Sequence, residues 1–368
     1  MKVLHVINSL DMGGAEKLVA ELLPIFNEFG VESELLLLNG KQTEIKNILQ
    51  ENGITIYDLG MINIYNPMSV FKLIKYLKNY DIVNVHLFPS LYFIALAIFF
   101  IRKNERPLLV FTEHNTMNRR IESKLFSWID KIIYSFYKRI ICITNEVEDI
   151  FKKHLGGCKN RFVVIENGID LDKINSYKPN TLEISNLKHE LGIIEKDIII
   201  TQVSAFRDQK DQVTVINALK FLPDNYKVIF LGTGKNIQVC KDLVRQLELE
   251  ERVYFLGVKE NVCDYFEISK FIVLSSHYEG LSLSSIEGMA SGKPFIASNV
   301  PGLKDIVFNA GILFEKSDSE DLAKKIILLN KDVDLYNEVV QKCKKRASKY
   351  SIKDTAKRYI EIYNSILS

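Results

Sequence analysis

Residues 271–294 read FIVLSSHYEGLSLSSIEGMASGKP. The first four residues are apolar and predict a buried strand, and the polar loop that follows contains Glu279 and Gly280. A helix is predicted to begin near Ser282, which places Glu287 about one turn inside it. The N–H groups at the start of such a helix bind anions, and the two carboxylates can accept hydrogen bonds from sugar hydroxyls. On spacing alone, a helix cap flanked by solvated glutamates explains the same residues.

The same succession of strand, loop and helix recurs along the chain. Alternation of apolar strands with helical segments predicts an α/β fold, in which parallel sheets are covered by helices on both faces. The predicted strands are residues 2–7, 34–38, 54–57, 82–86, 108–112, 139–144, 162–165, 198–203, 227–231, 252–255, 271–274 and 294–296.

The length of 368 residues exceeds what one hydrophobic core usually serves, so we expect two domains. Residues 170–197 lose clear periodicity and contain Pro179 with several Asn and Lys residues, which is typical of a linker. Two doubly wound domains in succession predict a cleft between them, lined by the loops that follow the strands. The predicted organisation is a Rossmann-like domain over residues 1–175, a linker over 176–196, a second Rossmann-like domain over 197–348 and a C-terminal helix over 349–368.

Composition and charge exclude several classes of protein. The chain has 48 Lys and Arg against 46 Asp and Glu, with no dense basic run, so no nucleic-acid partner is expected. Its five cysteines contain no CxxC pair, which argues against a zinc site or a disulfide framework and fits a reducing cytosol. The longest apolar run, residues 91–101, is about half of what a spanning helix needs. We therefore expect a cytoplasmic protein, attached at most to the inner face of the cell membrane.

Further motifs lie in a fixed order around the opening stretch. They are GGAE at 13–16, EHN at 113–115, VIENGID at 164–170, GTG at 232–234 and GKPFIASNVPGLKDIV at 292–307. Together with Glu279 and Glu287, this set resembles the E-x7-E region and flanking motifs of the retaining glycosyltransferases of family 4. The resemblance covers essentially the whole chain. It implies the GT-B fold, with two Rossmann-like domains facing a central cleft and a C-terminal helix that packs back on the N-terminal domain.

The resemblance also implies roles for individual residues. The N-terminal domain would bind the acceptor and the C-terminal domain the donor, with Glu287 on the donor ribose and Glu279 on the donor sugar. Further donor contacts would come from glycines and backbone amides, namely Gly13, Gly14, Gly280, Leu281, Ser282 and Val258. On the acceptor side the matching positions are His114, with His86 and Asn115 as weaker candidates.

The phosphate-binding segment departs from the family pattern. Lys210 matches the family lysine, but Ala205 stands where the family commonly has an arginine. Arg207 lies two residues after Ala205, and we expect it to reach the diphosphate in place of the missing arginine. With Glu279 and His114, these two basic residues complete the expected catalytic group.

The activity that the resemblance implies is a retaining, metal-independent sugar transfer. The donor would be a nucleotide diphosphate sugar, expected to be a UDP-sugar, and the acceptor a glycan or a lipid-linked molecule in bacterial surface polysaccharide or glycolipid synthesis. No cofactor or metal is expected, because the DxD spacings at 170–172 and 332–334 are interpreted as turns or caps. Residues 232–234 lack the third glycine of a dinucleotide fingerprint, which argues against a dehydrogenase.

Two alternatives remain open, and so does contact with a membrane. A UDP-sugar 2-epimerase shares the fold and the donor class but needs no acceptor. A non-catalytic sugar-nucleotide-binding subunit is favoured only by Ala205. Residues 102–139 hold nine Lys and Arg and four Asp and Glu among aromatic and aliphatic side chains. Such a segment is either a basic surface for anionic lipids or an ordinary covering helix with solvated charges.

Overall fold

The computed structural model describes residues 1–11, 13–114, 124–156, 159–259 and 261–368. The chain forms two compact units, an N-terminal unit of Met1–Ile169 with Ile352–Ser368 and a C-terminal unit of Asp170–Ser351. Each unit is a parallel sheet with helices packed against it, which confirms the predicted α/β class with two Rossmann-like domains. No helix within the described ranges is both long and apolar enough to span a bilayer.

The N-terminal unit is a seven-stranded parallel sheet within the described residues. Its strands are β1 (Lys2–Ile7), β2 (Glu32–Leu37), β3 (Ile56–Asp58), β4 (Ile82–His86), β5 (Leu108–Glu113), β6 (Tyr137–Cys142) and β7 (Phe162–Val164). Its helices are α1 (Gly14–Glu28), α2 (Glu44–Glu51), α3 (Ser69–Leu77), α4 (Ser90–Ala97), α5 (Lys124–Tyr134), α6 (Asn145–Leu155) and the C-terminal α16 (Ile352–Leu367). The strand order β3-β2-β1-β4-β5-β6-β7 changes direction between β1 and β4.

The C-terminal unit has a six-stranded parallel sheet in its described part. Its strands are β8 (Ile198–Val203), β9 (Tyr226–Leu231), β10 (Val253–Phe255), β11 (Phe271–Leu274), β12 (Phe295–Ser298) and β13 (Ile312–Phe314). Its helices are α7 (Leu171–Asn175), α8 (Thr181–Glu190), α9 (Gln212–Ala218), α10 (Ile237–Gln246), α11 (Val262–Ile268), α12 (Leu283–Ala290), α13 (Leu303–Val307), α14 (Ser319–Lys331) and α15 (Val333–Ala347). The order β10-β9-β8-β11-β12-β13 reverses between β8 and β11.

These two reversals fix where a ligand can bind. In an open parallel sheet, the loops on either side of a reversal diverge to opposite faces and leave a crevice at the carboxyl ends of the strands. The crevice of the C-terminal unit therefore lies between the loops that follow β8 and β11. The crevice of the N-terminal unit lies between the loops that follow β1 and β4.

The predicted linker over residues 176–196 is part of the C-terminal unit. It contains α8, whose N-cap Asn180 accepts a hydrogen bond from the amide of Leu182. Ile184 and Leu187 of α8 are only partly buried against the core of that unit. Because α8 covers an edge of the core and has no fully buried side chain, its periodicity is weak in the sequence. The structure places the boundaries between units at 169/170 and 351/352, not at 175 and 349.

The C-terminal helix α16 belongs to the N-terminal unit, as predicted. Tyr359 and Tyr363 are fully buried and pack against Phe26 of α1, with ring centroids 6.0 Å apart in both pairs. The phenol of Tyr363 accepts a hydrogen bond of 2.7 Å from Nδ2 of Asn84, a fully buried residue of β4. The last helix of the chain thus closes one face of a sheet that is built from the first half of the sequence.

The Tyr363→Phe substitution tests this closure. It keeps the ring but leaves the buried Asn84 amide without its acceptor, which we expect to cost about 1–3 kcal/mol of unfolding free energy in urea titration. Leu367→Ala is the matched control, because Leu367 of the same helix is 43% exposed, and we expect a change within about 0.5 kcal/mol. Equal stability of Tyr363→Phe and wild type would contradict this account of how α16 is held.

Candidate active site

Lys210 and Glu279 meet at the crevice of the C-terminal unit. Nζ of Lys210 lies 2.5 Å from Oε1 of Glu279, although the two residues are 69 positions apart in the chain. Lys210 follows β8 and Glu279 follows β11, so the pair stands at the reversal of the strand order. The Lys210 side chain is 17% exposed and that of Glu279 is 6% exposed, which leaves the ammonium group as the more accessible partner.

Buried polar side chains hold the backbone of Lys210 in place. Gln202 Nε2 and Ser275 Oγ each donate a hydrogen bond of 3.1 Å to the carbonyl oxygen of Lys210. Both side chains are fully buried, and Ser275 Oγ also lies 3.1 Å from Gln202 Oε1. A satisfied network of this kind is rigid, because each group that lost its partner would be left unpaired in the core. Sequence reasoning did not identify Gln202 or Ser275, since isolated polar residues at strand ends carry no recognisable pattern.

The Glu279 carboxylate is held by its own loop and by a neighbouring turn. Ser276 Oγ donates to Glu279 Oε1 at 2.5 Å, and Glu279 N–H donates to the carbonyl of Pro301 at 3.3 Å. Gly302 has a φ of +81°, and a Cβ on it would lie 2.1 Å from the carbonyl oxygen of Glu279. The Pro301–Gly302 turn therefore packs directly on the loop that carries the carboxylate, and this close approach requires glycine.

The first turn of α12 provides backbone donors beside this pair. Ser282 is the N-cap, and its hydroxyl accepts a hydrogen bond from the amide of Ser285. The amides that precede Ser285 have no acceptor inside the helix, because the first turn of any α-helix lacks them. Gly280 and Leu281 are half-buried, so their backbone lies within reach of a ligand in the crevice. The predicted donor positions Gly280, Leu281 and Ser282 are thus brought together with Lys210 and Glu279 in one unit.

Glu287 and Val258 are the two remaining predicted donor-binding residues of the C-terminal unit. Glu287 is half-buried on α12. Burial raises the pKa of the Cys263 thiol at the start of α11, and the negative charge of Glu287 adds to the increase. Val258 is 46% exposed in the loop that leads from β10 into α11.

Arg207, another predicted site residue, makes no side-chain contact with the Lys210–Glu279 pair in the described part of the chain. It is exposed, and its guanidinium makes no hydrogen bond or ion pair with any described residue. Its carbonyl accepts a hydrogen bond of 2.9 Å from the amide of Lys210, so the two residues share one turn. Ala205 is half-buried, and its carbonyl accepts from Gln212 Nε2 at 3.0 Å.

The GTG motif supports the loop that leads to Lys210. A Cβ on Gly232 would lie 2.1 Å from the carbonyl oxygen of Ser204, and one on Gly234 would lie 2.4 Å from that of Phe206. The amide of Phe206 in turn donates to the carbonyl of Thr233 at 3.0 Å. These glycines allow the end of β9 to pack against the loop after β8.

In the N-terminal unit, Gly13 and Gly14 lie between β1 and α1 and are both exposed. Gly13 has a φ of −143° and is the N-cap of α1, without a side chain to cap it. A Cβ on Gly14 would meet nothing within 4 Å. The fold itself therefore does not demand glycine at Gly14, and the space above the helix start is open to a ligand.

Three histidines form a hydrogen-bonded row at the centre of the N-terminal unit. His5 Nδ1 lies 3.2 Å from His86 Nε2, and His86 Nδ1 lies 3.0 Å from His114 Nε2. Burial lowers the pKa of His5 to about 3 and that of His114 to about 4, and it lowers the pKa of His86 well below its usual value. All three rings are therefore uncharged at neutral pH. The sequence predicted His86 and His114 but not His5, and Asn115 lies outside the described residues.

The two DxD spacings are explained by helix capping, as predicted. The Asp170 carboxylate accepts from the amide of Lys173 at the start of α7, and that of Asp332 accepts from the amide of Leu335 at the start of α15. Within the described part of the chain, no group of three or more His, Cys, Asp and Glu side chains converges on a possible metal position.

Comparison with known families assigns both halves of the chain. Residues 12–173 match the family described as "Glycosyltransferase Family 4", and residues 183–349 match "Glycosyl transferases group 1". Together the two matches span most of the sequence. The chain therefore belongs to the group 1 glycosyltransferases with a family 4 N-terminal domain, and it is a transferase enzyme of the GT-B fold.

Individual relatives agree with this assignment. The UDP-Gal:alpha-D-GlcNAc-diphosphoundecaprenol alpha-1,3-galactosyltransferase of Escherichia coli is 26% identical over 278 residues, which cover 72% of this chain and 70% of the relative. The N-acetyl-alpha-D-glucosaminyl L-malate synthase of Bacillus anthracis is 29% identical over 190 residues, which are 50% of each chain. The Anabaena protein Alr3699/HepE, solved with UDP-glucose, has the same fold, with a TM-score of 0.84 at 22% identity over 99% of this chain and 100% of that one.

Gly302→Ala tests the packing that positions Glu279. The new Cβ would strain a backbone with positive φ and clash with the Glu279 carbonyl, so we expect a loss of about 1–3 kcal/mol in urea unfolding. Gly14→Ala is the control, because its Cβ would enter open space, and we expect a change within about 0.5 kcal/mol. If the two variants unfold at the same urea concentration, the turn at Gly302 does not constrain the loop.

Proposed function

We propose that this enzyme transfers a sugar from a nucleoside diphosphate sugar, namely a UDP-sugar, with retention of configuration and without a metal ion. The observation that carries the proposal is the Lys210–Glu279 contact at the crevice of the C-terminal unit. It places a cation for a leaving diphosphate beside a carboxylate that can accept hydrogen bonds from sugar hydroxyls. The structures of HepE with UDP and with UDP-glucose support a uridine donor.

In the proposed mechanism the bond between the sugar C1 and the diphosphate oxygen breaks, and the acceptor oxygen bonds to C1 from the same face. The acceptor proton passes to an oxygen of the departing diphosphate, so no protein nucleophile is required. Lys210 and the first-turn amides of α12 stabilise the developing negative charge. Glu279 orients the sugar, and Glu287 binds the ribose. Closure of the site around the donor would exclude water.

Lys210 is suited to this task because its backbone and its head group are held differently. The carbonyl is fixed by Gln202 and Ser275, whereas Glu279 is the one carboxylate partner of the ammonium group among the described residues. When a diphosphate enters, the same ammonium group can donate to a phosphate oxygen and retain Glu279 as its second acceptor. Arg207, exposed and on the same turn, supplies the second positive charge in place of the arginine that is absent at Ala205.

The proposal of metal independence is supported by the positively charged and N–H groups that the protein itself offers to the leaving diphosphate. Asp170 and Asp332, the first residues of the two DxD spacings, are helix caps, and Lys210, Arg207 and the helix amides can neutralise a diphosphate without a metal ion. The family assignment favours transfer over the epimerase alternative, and it also argues against a non-catalytic subunit, because both halves match transferases.

The acceptor side is proposed to be a glycan or a lipid-linked molecule in bacterial surface polysaccharide or glycolipid synthesis. The Escherichia coli relative acts on a diphosphoundecaprenol-linked sugar, as its name states, and this supports a lipid-linked acceptor. His114 would face that acceptor. An enzyme with such a substrate is expected in the cytoplasm, working at the inner face of the cell membrane.

An exposed aromatic surface of the N-terminal unit supports membrane contact. The exposed aromatic side chains are Phe71 on α3, Phe99 and Phe100 after α4, and Trp128 on α5, and they are 55%, 56%, 59% and 64% exposed; α4 packs against both α3 and α5. The Phe71 and Phe100 rings lie 5.3 Å apart, so the surface is continuous between α3 and the end of α4. It extends beyond the predicted segment 102–139, of which residues 115–123 lie outside the described residues.

The charges around this aromatic surface suit anionic lipids. Lys72, Lys75 and Lys131 are exposed on α3 and α5, whereas Asp130, the one acidic residue in the sequences of α3, α4 and α5, is fully buried. Aromatic side chains with lysines around them insert at the boundary between headgroups and acyl chains. We propose that this surface holds the enzyme against the membrane that contains its acceptor.

Donor hydrolysis followed by proton NMR tests the proposed reaction. We expect slow release of free sugar from UDP-glucose or another UDP-sugar in excess EDTA, with the donor's own anomeric configuration in the first product. Inverted sugar would contradict retention, and turnover restored only by Mg²⁺ or Mn²⁺ would contradict metal independence. Conversion of the donor to an epimeric nucleotide sugar would favour the epimerase.

Flotation with phosphatidylglycerol vesicles tests the membrane proposal. We expect Phe100→Glu to lower vesicle affinity about tenfold, because it removes one inserted aromatic ring and adds a negative charge. Phe308→Glu is the control, since Phe308 is equally exposed, at 55%, but lies in the C-terminal unit. The proposal fails if wild type does not float, or if the two variants float equally well.

A further inference from the structure

The histidine row has two ends without a partner. His5 Nε2 and His114 Nδ1 are buried atoms that have no hydrogen-bond partner among the described residues. The other four ring nitrogens make the two hydrogen bonds of the row. His5 and His86 are also stacked, with ring centroids 5.5 Å apart and planes inclined by 15°. The proposed function uses only His114, so the other two rings remain to be explained.

Counting protons leaves two arrangements for a neutral row. Each neutral imidazole carries one N–H, and each hydrogen bond needs one N–H and one bare nitrogen. Two of the three N–H groups lie inside the row, and the third must lie at one end. If His114 carries it on Nδ1, then His5 Nε2 is bare. If His5 carries it on Nε2, then His114 Nδ1 is bare.

The surroundings of the two ends favour the first arrangement. The His5 end is sealed, because His5 is 1% exposed and stacks on Phe26 of α1 at 5.3 Å. A buried N–H without an acceptor costs more than an unused lone pair, and no described group accepts a hydrogen bond from His5 Nε2. The His114 end follows β5 at the carboxyl edge of the sheet, where ligands of parallel sheets bind, and the residue as a whole is half-buried although its Nδ1 atom is itself buried.

We propose that His5, His86 and His114 form a neutral row in which every ring carries its proton on Nδ1, so that His114 presents an N–H donor to the substrate. His5 Nδ1–H donates to His86 Nε2, and His86 Nδ1–H donates to His114 Nε2. His5 and His86 are positioning residues that fix the ring orientation and tautomer of His114. If any ring carried protons on both nitrogens, a charged imidazolium would lie in the core. The pKa values of His5 and His114, which burial lowers, oppose this.

This inference changes the role of His114. An N–H donor binds an oxygen of the sugar, the acceptor or the phosphate, but it cannot accept the proton of an attacking hydroxyl. That proton must go elsewhere, which agrees with its transfer to the departing diphosphate. The contact with substrate rests on the proposed function, whereas the tautomers are a property of the free protein.

The tautomers are read directly by two-bond ¹H–¹⁵N correlation NMR of histidine-labelled protein near neutral pH. Each of the three resonances, assigned through single substitutions, is expected to show protonated Nδ1 and bare Nε2. A protonated Nε2 in any of the three rings, or an imidazolium, would overturn the proposal. This measurement needs no turnover, so it is independent of the proposed reaction.

Variants of His5 test whether the row acts as a unit. In His5→Asn the side-chain amide can still donate to His86 Nε2, and we expect the His114 tautomer and kcat to stay near wild type. In His5→Phe that donor is lost, and we expect mixed tautomers at His86 and His114 and a kcat about tenfold lower with unchanged donor KM. Unchanged tautomers and kcat in His5→Phe would overturn the positioning role.

His154→Phe is the matched control. His154 is another histidine of the N-terminal unit, with a side chain only 3% exposed, and its Nε2 lies 2.9 Å from the carboxylate of Asp130, outside the row. We expect this variant to lose stability but to keep the His114 tautomer. If it altered that tautomer as much as His5→Phe does, the effect would be a general loss of packing. Absence of donor turnover in wild type would contradict the proposed function and leave the NMR result standing.

Discussion

The Lys210–Glu279 ion pair is the interaction on which the account of the donor site depends. Two charged side chains are largely withdrawn from water, and this is tolerated only when each has partners in good geometry. Glu279 obtains them from Lys210 and Ser276, and its loop is held by the turn at Gly302. Gly302 and the buried side-chain amide of Gln202 hold the loop after β11 and the loop after β8 in the positions that this contact requires.

The position of the pair follows from topology. Parallel strands deliver all their carboxyl ends to one edge, and a reversal of strand order opens a crevice at that edge. In the C-terminal unit the crevice contains Lys210 and Glu279. In the N-terminal unit, polar groups cluster between the loops that follow β1 and β4. There Asn8, after β1, donates to the carbonyl of Phe88 after β4 at 2.8 Å. Each unit thus uses its central strands as a rigid base for polar side chains.

The sequence predicted the architecture well because parallel sheets have a strong signal. Strands β1, β4, β8 and β11 were predicted with the bounds that the structure has, since their apolar runs are buried on both faces. Helix α8 was mistaken for linker because it buries no side chain fully, and β13, only three residues long, was missed. Element boundaries at weakly buried edges are where local patterns carry the least information.

The candidate site was predicted only in part, and mainly through resemblance. Lys210 and Glu279 are in contact, and Ser282 caps the helix that follows the Glu279 loop. The residues that support them did not stand out, because Gln202, Ser275 and His5 act through contacts between distant parts of the chain. Such contacts have no periodicity, and only the fold reveals them. The direction in which the hydrogen bonds of the histidine row run likewise depends on which end is closed off, and a local sequence pattern cannot show this.

Calorimetric titration of UDP and of UDP-glucose tests the central claim most directly, with wild type, Lys210→Met and Glu279→Gln compared. If Lys210 binds the diphosphate and Glu279 the sugar, Lys210→Met weakens both ligands about 10- to 100-fold, the scale of one charge-assisted hydrogen bond. Glu279→Gln should bind UDP nearly as wild type does and lose only the additional affinity for UDP-glucose. Unchanged UDP affinity in Lys210→Met would contradict the account.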